Sequence, residues 1–179
     1  MHNITAARQA LASAPPCLEA HSRRVAALAL EAAKLLRLPD PAIIAAAAYL
    51  HDLGKTTWPP ELFTKHPLEA HDWALIKAHP LVGENLAAGL FPDAPPLVKA
   101  LVRGHHERPG GKGYPDGLAE PGIEILLLAA CDAYDAMTSN RPYRPGGALP
   151  VEAALLEVAR FAPARVVAAL AGAVVRKAG

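Results

Sequence analysis

The chain has 179 residues, of which 52% are hydrophobic and 20% are charged. This composition excludes a disordered chain, and the length suits one domain whose core needs no disulfide bonds. The 18 lysines and arginines nearly balance the 17 aspartates and glutamates, so a net charge of +1 gives no sign of a broad nucleic-acid or membrane-binding surface.

Two cysteines, Cys17 and Cys131, exclude a disulfide scaffold and fit a reducing compartment. The N-terminus lacks the apolar segment of a signal peptide. The longest apolar run, residues 166–175, is too short to cross a bilayer. We therefore expect a soluble cytoplasmic protein.

The amino-acid usage favours an all-α fold, because alanine and leucine are abundant while threonine and the aromatic residues are scarce. Gly54 and Pro80 are expected to end helices, and the Gly/Pro-rich segments 108–121 and 138–150 are expected to be loops. The predicted helices cover residues 17–37, 41–50, 61–65, 68–79, 81–90, 96–107, 122–137, 151–160 and 163–175. With no repeat and no break in composition, we expect an N-terminal extension over 1–16 and a single helical-bundle domain over 17–175.

Ionisable side chains recur on the apolar faces of these helices. Most of them share a helix face with leucine, isoleucine, valine or alanine, and Asp52 and His106 each follow such a residue directly in sequence. The full set is His21, His51, Asp52, His79, His105, His106, Asp132 and Asp135. A lone histidine on an apolar face is usually a hydrogen-bonded core residue. So many buried ionisable groups are costly unless a metal ligates them, and imidazole and carboxylate suit Fe, Mn, Zn or Ni. The remaining histidines, His2, His66 and His71, are expected to be exposed.

These residues form a pattern that resembles a known family. The segment His51-Asp52-Leu53-Gly54-Lys55 is similar to the first signature of HD-domain metal phosphohydrolases. The segments His105-His106-Glu107-Arg108, Gly113-Tyr114-Pro115 and Asp132 to Arg144 resemble further signatures of the HD-GYP subgroup, as do His21-Ser22 with Arg24 and His79-Pro80. The resemblance covers about residues 17–170.

The resemblance implies an all-α HD-GYP domain with two divalent transition metals, Fe or Mn, that hydrolyses cyclic di-GMP to pGpG, with the further step to GMP left open. It implies one metal held by His21, His51, Asp52 and Asp132, a second held by His79, His105 and His106, and a bridging position for Asp52. Chemically, two metals about 3.5–4 Å apart polarise the phosphodiester and activate a bridging hydroxide.

Cationic and polar residues near the predicted ligands are candidates for substrate contacts. Lys55 lies one turn after His51 and is assigned to the phosphate, although without the motif it would be a solvated lysine at a helix end. Arg141 and Arg144 have two equally good interpretations. They either bind phosphate, which suits the planar guanidinium group, or form ion pairs at the surface. Tyr114 shapes the glycine-rich loop, and Asp135 is expected either to contact a metal-bound water or to orient a histidine.

Several positions depart from the family pattern, and two of them bear on the predicted metal site or on the glycine-rich loop. Cys17 stands where members with a third metal carry glutamate, and we interpret it as a small buried cysteine, which favours two metals. Gly110 replaces the aspartate usual in the loop, which leaves the rigidity of that loop open.

Three functions remain open at this point. The first is a cyclic di-GMP phosphodiesterase, the second a catalytically weak binding or interaction module, and the third an HD phosphohydrolase for another nucleotide. The expected partners are a cyclic dinucleotide and, through the loop, diguanylate cyclase (GGDEF) domains. A homodimer is left open, and neither DNA nor a membrane span is expected.

Overall fold

A computed structural model describes residues 2–13, 17–139 and 147–178, and over these residues the fold contains helices and no strand. The expected all-α class is therefore confirmed. The helices are α1 (His2–Ser13), α2 (Cys17–Leu35), α3 (Pro41–Leu50), α4 (Ala70–Leu90), α5 (Pro96–Gly104), α6 (Ile123–Thr138), α7 (Val151–Val158) and α8 (Ala164–Ala178).

Short 3₁₀ turns connect some of these helices. Two of them, Leu53–Thr57 and Pro60–Phe63, lie between α3 and α4, and a third, Pro109–Gly111, lies in the first Gly/Pro-rich loop. The first turn packs directly against α4. It places the residues after His51 beside the middle of that long helix.

Helix α2 is the central element, and it packs against α3, α6 and α8. The core between them is built from leucine, valine and many alanines, including the fully buried Val25, Ala47, Leu128 and Leu170. Alanine favours helix and lets helices approach closely, which explains how a chain with few aromatic residues fills its core. Ala7 and Leu11 of α1 are buried in the same cluster.

Helix α4 differs from the sequence-based expectation. The sequence predicts that Pro80 ends a helix at His79, but α4 runs through Pro80 and has 21 residues in all. A proline inside a helix removes one backbone hydrogen bond and is tolerated where the helix is held by packing. Pro80 is buried and the helix continues past it, so the predicted break is wrong.

One other boundary differs less. Helix α5 ends at Gly104 rather than near Glu107, so the histidine pair lies just beyond the helix end. Within the described residues, no helix combines the length and hydropathy that crossing a bilayer would need.

Candidate metal centre

The predicted metal ligands converge in one place. They come from α2, from the ends of α3 and α5, from the middle of α4 and from α6, and most of them are almost completely buried. The converging side chains are His21, His51, Asp52, His79, His105, His106 and Asp132.

The Asp52 carboxylate lies between two groups of imidazoles. Its Oδ2 atom is 3.4 Å from His51 Nε2 and 3.7 Å from His21 Nε2. Its Oδ1 atom is 3.3 Å from His79 Nε2 and 3.8 Å from His105 Nε2. Each oxygen therefore faces a different group, which is the geometry of a ligand shared by two cations.

The two groups have the spacing of metal ligands. His79, His105 and His106 offer nitrogen atoms within 4.8 Å of one another, and so do ligand atoms of His21, His51 and Asp52. Asp132 joins them, because its Oδ1 atom lies 3.0 Å from His21 Nε2 and 3.7 Å from His51 Nε2.

Pro80 accounts for the orientation of His79. Its missing N–H would have bonded the carbonyl of Ile76, four residues earlier, in a regular helix. The Nδ1 atom of His79 lies 2.6 Å from that carbonyl oxygen instead. A carbonyl only accepts, so Nδ1 carries the proton and Nε2 presents its lone pair to the centre.

Two other histidines are oriented in the same way. The Nδ1 atom of His51 is 2.6 Å from the carbonyl oxygen of Ala48, and that of His105 is 2.7 Å from the carbonyl oxygen of Val102. Both carbonyls belong to the last turn of a helix, where the backbone provides no partner. The helix ends therefore supply acceptors that turn each Nε2 inward.

His21 is oriented by a carboxylate. Its Nδ1 donates to Asp135 Oδ2 over 2.7 Å, and Arg24 holds the same carboxylate through Nε and a terminal nitrogen at 2.7 and 2.9 Å. Burial opposes ionisation of Asp135, but the hydrogen bonds from His21 and Arg24 outweigh it and lower its pKa to about 2. Of the two roles expected for Asp135, this contact supports the orientation of a histidine.

The polar atoms at the centre fit a pair of divalent cations. Among the described residues, the buried atoms without a hydrogen-bond partner include His21 Nε2, His51 Nε2 and Asp52 Oδ1. The Nε2 atoms of His79 and His105 lie 3.1 Å apart, although each ring carries its proton on Nδ1. Facing lone pairs and buried polar atoms without a partner are costly unless a cation lies between them, and nitrogen with carboxylate oxygen suits transition metals.

The histidines of the centre differ in their protonation state. Burial lowers the pKa of His105 well below its ordinary value and that of His106 to about 3, so both are neutral and ready to ligate. Burial also opposes protonation of His51, but the charges of Asp52 and Asp132 raise its pKa to about 10. Coordination by His51 therefore requires the loss of a proton.

The other predicted site residues have different outcomes. The Lys55 ammonium lies 2.7 Å from Asp52 Oδ2, beside the metal ligands as expected. The Tyr114 ring stacks on His106 with centroids 4.7 Å apart. Arg141 and Arg144 lie outside the described residues, so their roles stay predictions.

The remaining expectations concern exposure. His66 and His71 are exposed as expected, while the side chain of His2 lies outside the described part. The expectation for Cys17 is wrong: it is exposed at the start of α2 and lines a cavity beside the centre. The Cys17 side chain thus faces that cavity, while its neighbour Leu18 is buried in the core.

Sequence reasoning assigned no role to Glu107 or Arg24. Glu107 is completely buried, and its carboxylate accepts backbone hydrogen bonds from residues 116–118 of the first loop. For Arg24 a signal was present, because it follows His21 by three residues and so lies on the same face of α2. For Glu107 no periodicity applied, because it lies beyond the end of α5.

Comparison with known proteins identifies the family. Residues 5–161 match the model of the HD domain. The chain belongs to the HD-domain family. The recognition made from its motifs is confirmed, since curated relatives of this HD domain are named cyclic di-GMP phosphodiesterases.

The relatives are considerably longer than this HD domain. A cyclic di-GMP phosphodiesterase of Pseudomonas aeruginosa is 40% identical over 70% of the chain, which covers 31% of that protein. The response regulator RpfG of Xanthomonas campestris, also named a cyclic di-GMP phosphodiesterase, is 35% identical over 66% of the chain and 32% of its own length. A 3′3′-cGAMP-specific phosphodiesterase of Vibrio cholerae is 31% identical over 85% of the chain and 33% of its own length. The chain thus spans about a third of these relatives.

Solved structures share the fold. An HDG"Y"P protein from Bdellovibrio bacteriovorus superposes with a TM-score of 0.67 at 23% identity, covering 85% of this chain and 50% of that one. The HD domain of the phosphodiesterase PgpH from L. monocytogenes gives a TM-score of 0.69 at 14% identity, covering 96% of both chains. At these identities the likeness concerns the fold alone.

Proposed function

We propose that this HD domain hydrolyses a phosphodiester bond of a cyclic dinucleotide, with cyclic di-GMP as the first candidate and pGpG as the product. The observation that carries the proposal is the position of Asp52, whose two oxygens face separate groups of imidazoles. An arrangement of this kind suits a pair of cations acting on one phosphate.

The ligand assignment is part of the proposal. His21, His51, Asp52 and Asp132 would hold one divalent cation, and His79, His105 and His106 with Asp52 would hold the other. When bound, such a pair polarises the phosphoryl group and supplies a strong oxygen nucleophile near neutral pH. Iron and manganese are proposed as the metals, because both take these ligands.

The protein's own contribution is to bind and orient the phosphate. Lys55 places its ammonium 2.7 Å from Asp52 Oδ2, at the wall of the cavity beside the centre. An ammonium there adds positive charge next to the scissile phosphate and reduces the repulsion between the anionic phosphate and the anionic oxygen nucleophile. Asp52 in turn fixes the lysine, so one carboxylate positions both the metal site and the cation.

The choice of substrate is supported by the relatives. Proteins named cyclic di-GMP phosphodiesterases and 3′3′-cGAMP-specific phosphodiesterases both match this chain. Cyclic di-GMP is proposed first because the relative with 40% identity carries that name. The cyclic GMP–AMP dinucleotide is the second candidate, supported by the relative that matches 85% of the chain.

The test is a hydrolysis assay on protein loaded anaerobically with Fe²⁺ or Mn²⁺, with products separated by chromatography. We expect pGpG from cyclic di-GMP and a strong loss of product formation in Asp52→Asn and Lys55→Ala. Lys77→Ala, an exposed lysine of α4, is the matched control and should retain activity. A full metal complement without turnover of any cyclic dinucleotide would refute the proposal, and binding without turnover would favour the interaction module.

Several further expectations stay predictions. They are contacts with diguanylate cyclase (GGDEF) domains, a homodimer, domain limits at 17 and 175, and a cytoplasmic location. The two free cysteines support the last of these. The second hydrolysis step, from pGpG to GMP, also belongs here.

A further inference from the structure

A cavity of about 270 Å³ opens beside the metal centre. One side of it is formed by His21, Asp52 and Lys55 of the candidate site. The other side is apolar and is formed by Trp58, Leu62, Phe63, Leu68 and Ile76 from the turns before α4 and from α4 itself. We call this apolar side the aromatic pocket.

The aromatic pocket adjoins the metal ligands directly. The Trp58 ring meets the His79 ring edge-on, with centroids 5.7 Å apart and planes at 87°. On its other contacts, Trp58 lies 5.3 Å from the Phe63 ring and 5.5 Å from the Lys55 ammonium. A flat group packed against these rings would therefore lie next to the Lys55 ammonium, where the phosphate is proposed to bind.

The cavity is lined by more cations than acids. Arg24, Lys55 and Lys65 line it, each paired with a carboxylate, and of the three partner carboxylates the cavity lining includes Asp52 alone. Lys65 is held in place by Asp72, 2.8 Å away. A ligand with an apolar, flat part and a negative part matches this combination of apolar wall and cationic rim.

The size of the cavity limits the ligand. Pockets that enclose a whole drug-sized molecule usually have about 300–1,000 Å³. A volume of about 270 Å³ is thus suited to one nucleobase with its sugar, rather than to both halves of a cyclic dinucleotide. Stacking on aromatic side chains is available to every base, because each base has a π-face.

We propose that the aromatic pocket is a nucleobase subsite, in which one base of the substrate packs against Trp58 and Phe63 while its phosphate lies at Lys55. This inference rests on the proposed function, since it assigns the substrate of the same site. It makes Phe63 a specificity-determining residue for substrates that carry a base.

The test compares two probes that share a phosphate and a ribose but differ in the base, GMP and ribose 5-phosphate. The protein is the metal-loaded full chain with Trp73→Phe, which leaves Trp58 as the sole tryptophan. Trp73 is half exposed on α4 and does not line the cavity. We expect GMP to change the Trp58 emission and to bind more tightly than ribose 5-phosphate.

Phe63→Leu then removes the ring and keeps an apolar side chain. We expect it to weaken GMP binding about tenfold, and to leave the affinity for ribose 5-phosphate unchanged. Phe91→Leu, a phenylalanine packed against the core at the end of α4, is the control and should alter neither affinity. No preference for GMP, or an equal loss for both probes in Phe63→Leu, overturns the subsite.

The outcome is distinguishable from that of the proposed function, because GMP binding is measured without turnover. Base-dependent binding by a protein that hydrolyses no cyclic dinucleotide keeps the subsite and overturns the phosphodiesterase. Hydrolysis of cyclic di-GMP with the same KM in Phe63→Leu as in the parent overturns the subsite alone.

Discussion

The buried carboxylate of Glu107 accepts a hydrogen bond of 2.7 Å from the backbone N–H of Asp116. The same carboxylate accepts from the N–H groups of Gly117 and Leu118 at 3.1 and 2.9 Å. Glu107 directly follows the histidine pair, so one side chain ties the first Gly/Pro-rich loop to the metal centre. The replacement at Gly110 left the rigidity of this loop open. The hydrogen bonds to Glu107 fix its backbone at residues 116–118.

Glu107→Gln should destabilise the protein by about 1–3 kcal/mol, because an amide cannot accept three backbone hydrogen bonds and a buried N–H loses its partner. Denaturant unfolding measures the change. Glu120→Gln, an exposed residue of the same loop, is the control and should change the free energy of unfolding by less than about 0.5 kcal/mol. Equal stability of the two variants would contradict the role given to Glu107.

Gly54 and Gly89 make a matched pair. A Cβ atom on Gly54 would lie 2.1 Å from the carbonyl oxygen of His79 and 2.8 Å from the nitrogen of Gly83. Gly54→Ala should therefore push the first 3₁₀ turn away from α4 and cost about 3 kcal/mol.

Gly89 has open space around the same position. Gly89→Ala should stabilise α4 by about 0.5–1 kcal/mol, since glycine is unfavourable in a helix. Thermal unfolding of both variants measures the difference. A Gly54→Ala protein as stable as the parent would show that the turn does not pack on α4 as described.

Asp135→Asn tests the orientation of His21. An amide keeps the size of the side chain but loses the charge that Arg24 and His21 share, so metal affinity should fall about 10–100-fold. Competition with a chelator measures the affinity, and circular dichroism checks that the helices remain. Asp40→Asn, an exposed residue whose side chain makes no cap hydrogen bond, should leave the affinity unchanged. A loss of equal size in both variants would argue against a specific role for Asp135.

Asp72 predicts a dependence of stability on pH. Its Oδ2 accepts from the backbone N–H of Glu69 over 2.8 Å and from Lys65, and the hydrogen bond from Lys65 is the main reason that the pKa of Asp72 lies below its ordinary value of 3.8. A lowered pKa stabilises the folded state above pH 3.8, and this contribution is lost as pH falls through the lowered value.

Asp72→Asn should therefore lower the Tm at pH 7, and the gap from the parent should narrow below pH 4. Thermal melts across pH 2–7 measure it, with Asp93→Asn as an exposed control. A gap that stays constant down to pH 2 would count against the ionised carboxylate as the cause.

The convergence of the candidate metal ligands could be predicted from the sequence, because each histidine or aspartate lay on an apolar helix face or beside one. Periodicity is a local property, and it could not indicate where a chain ends its helices. Pro80 illustrates this, since tertiary packing of α4 overrides the tendency of proline to stop a helix. Cys17 illustrates it again, since its exposure depends on how α2 meets the cavity.

The contacts of Glu107 and Trp58 could not be predicted from the sequence for a different reason. Both lie outside the α-helices, in segments with no repeating pattern. Their roles depend on partners that are distant in the sequence or that lie in non-helical backbone, such as the His79 ring beside Trp58. Such partners become visible only when the elements are assembled.

The backbone acceptors at Ala48, Ile76 and Val102 have a consequence for how this centre tolerates genetic change. A main-chain oxygen is present whatever amino acid occupies the position, so no single codon change deletes those three anchors. His21, by contrast, depends on a side-chain acceptor, Asp135. Loss of function by mutation of supporting residues should therefore concentrate on the support of His21, while His51, His79 and His105 keep their orientation.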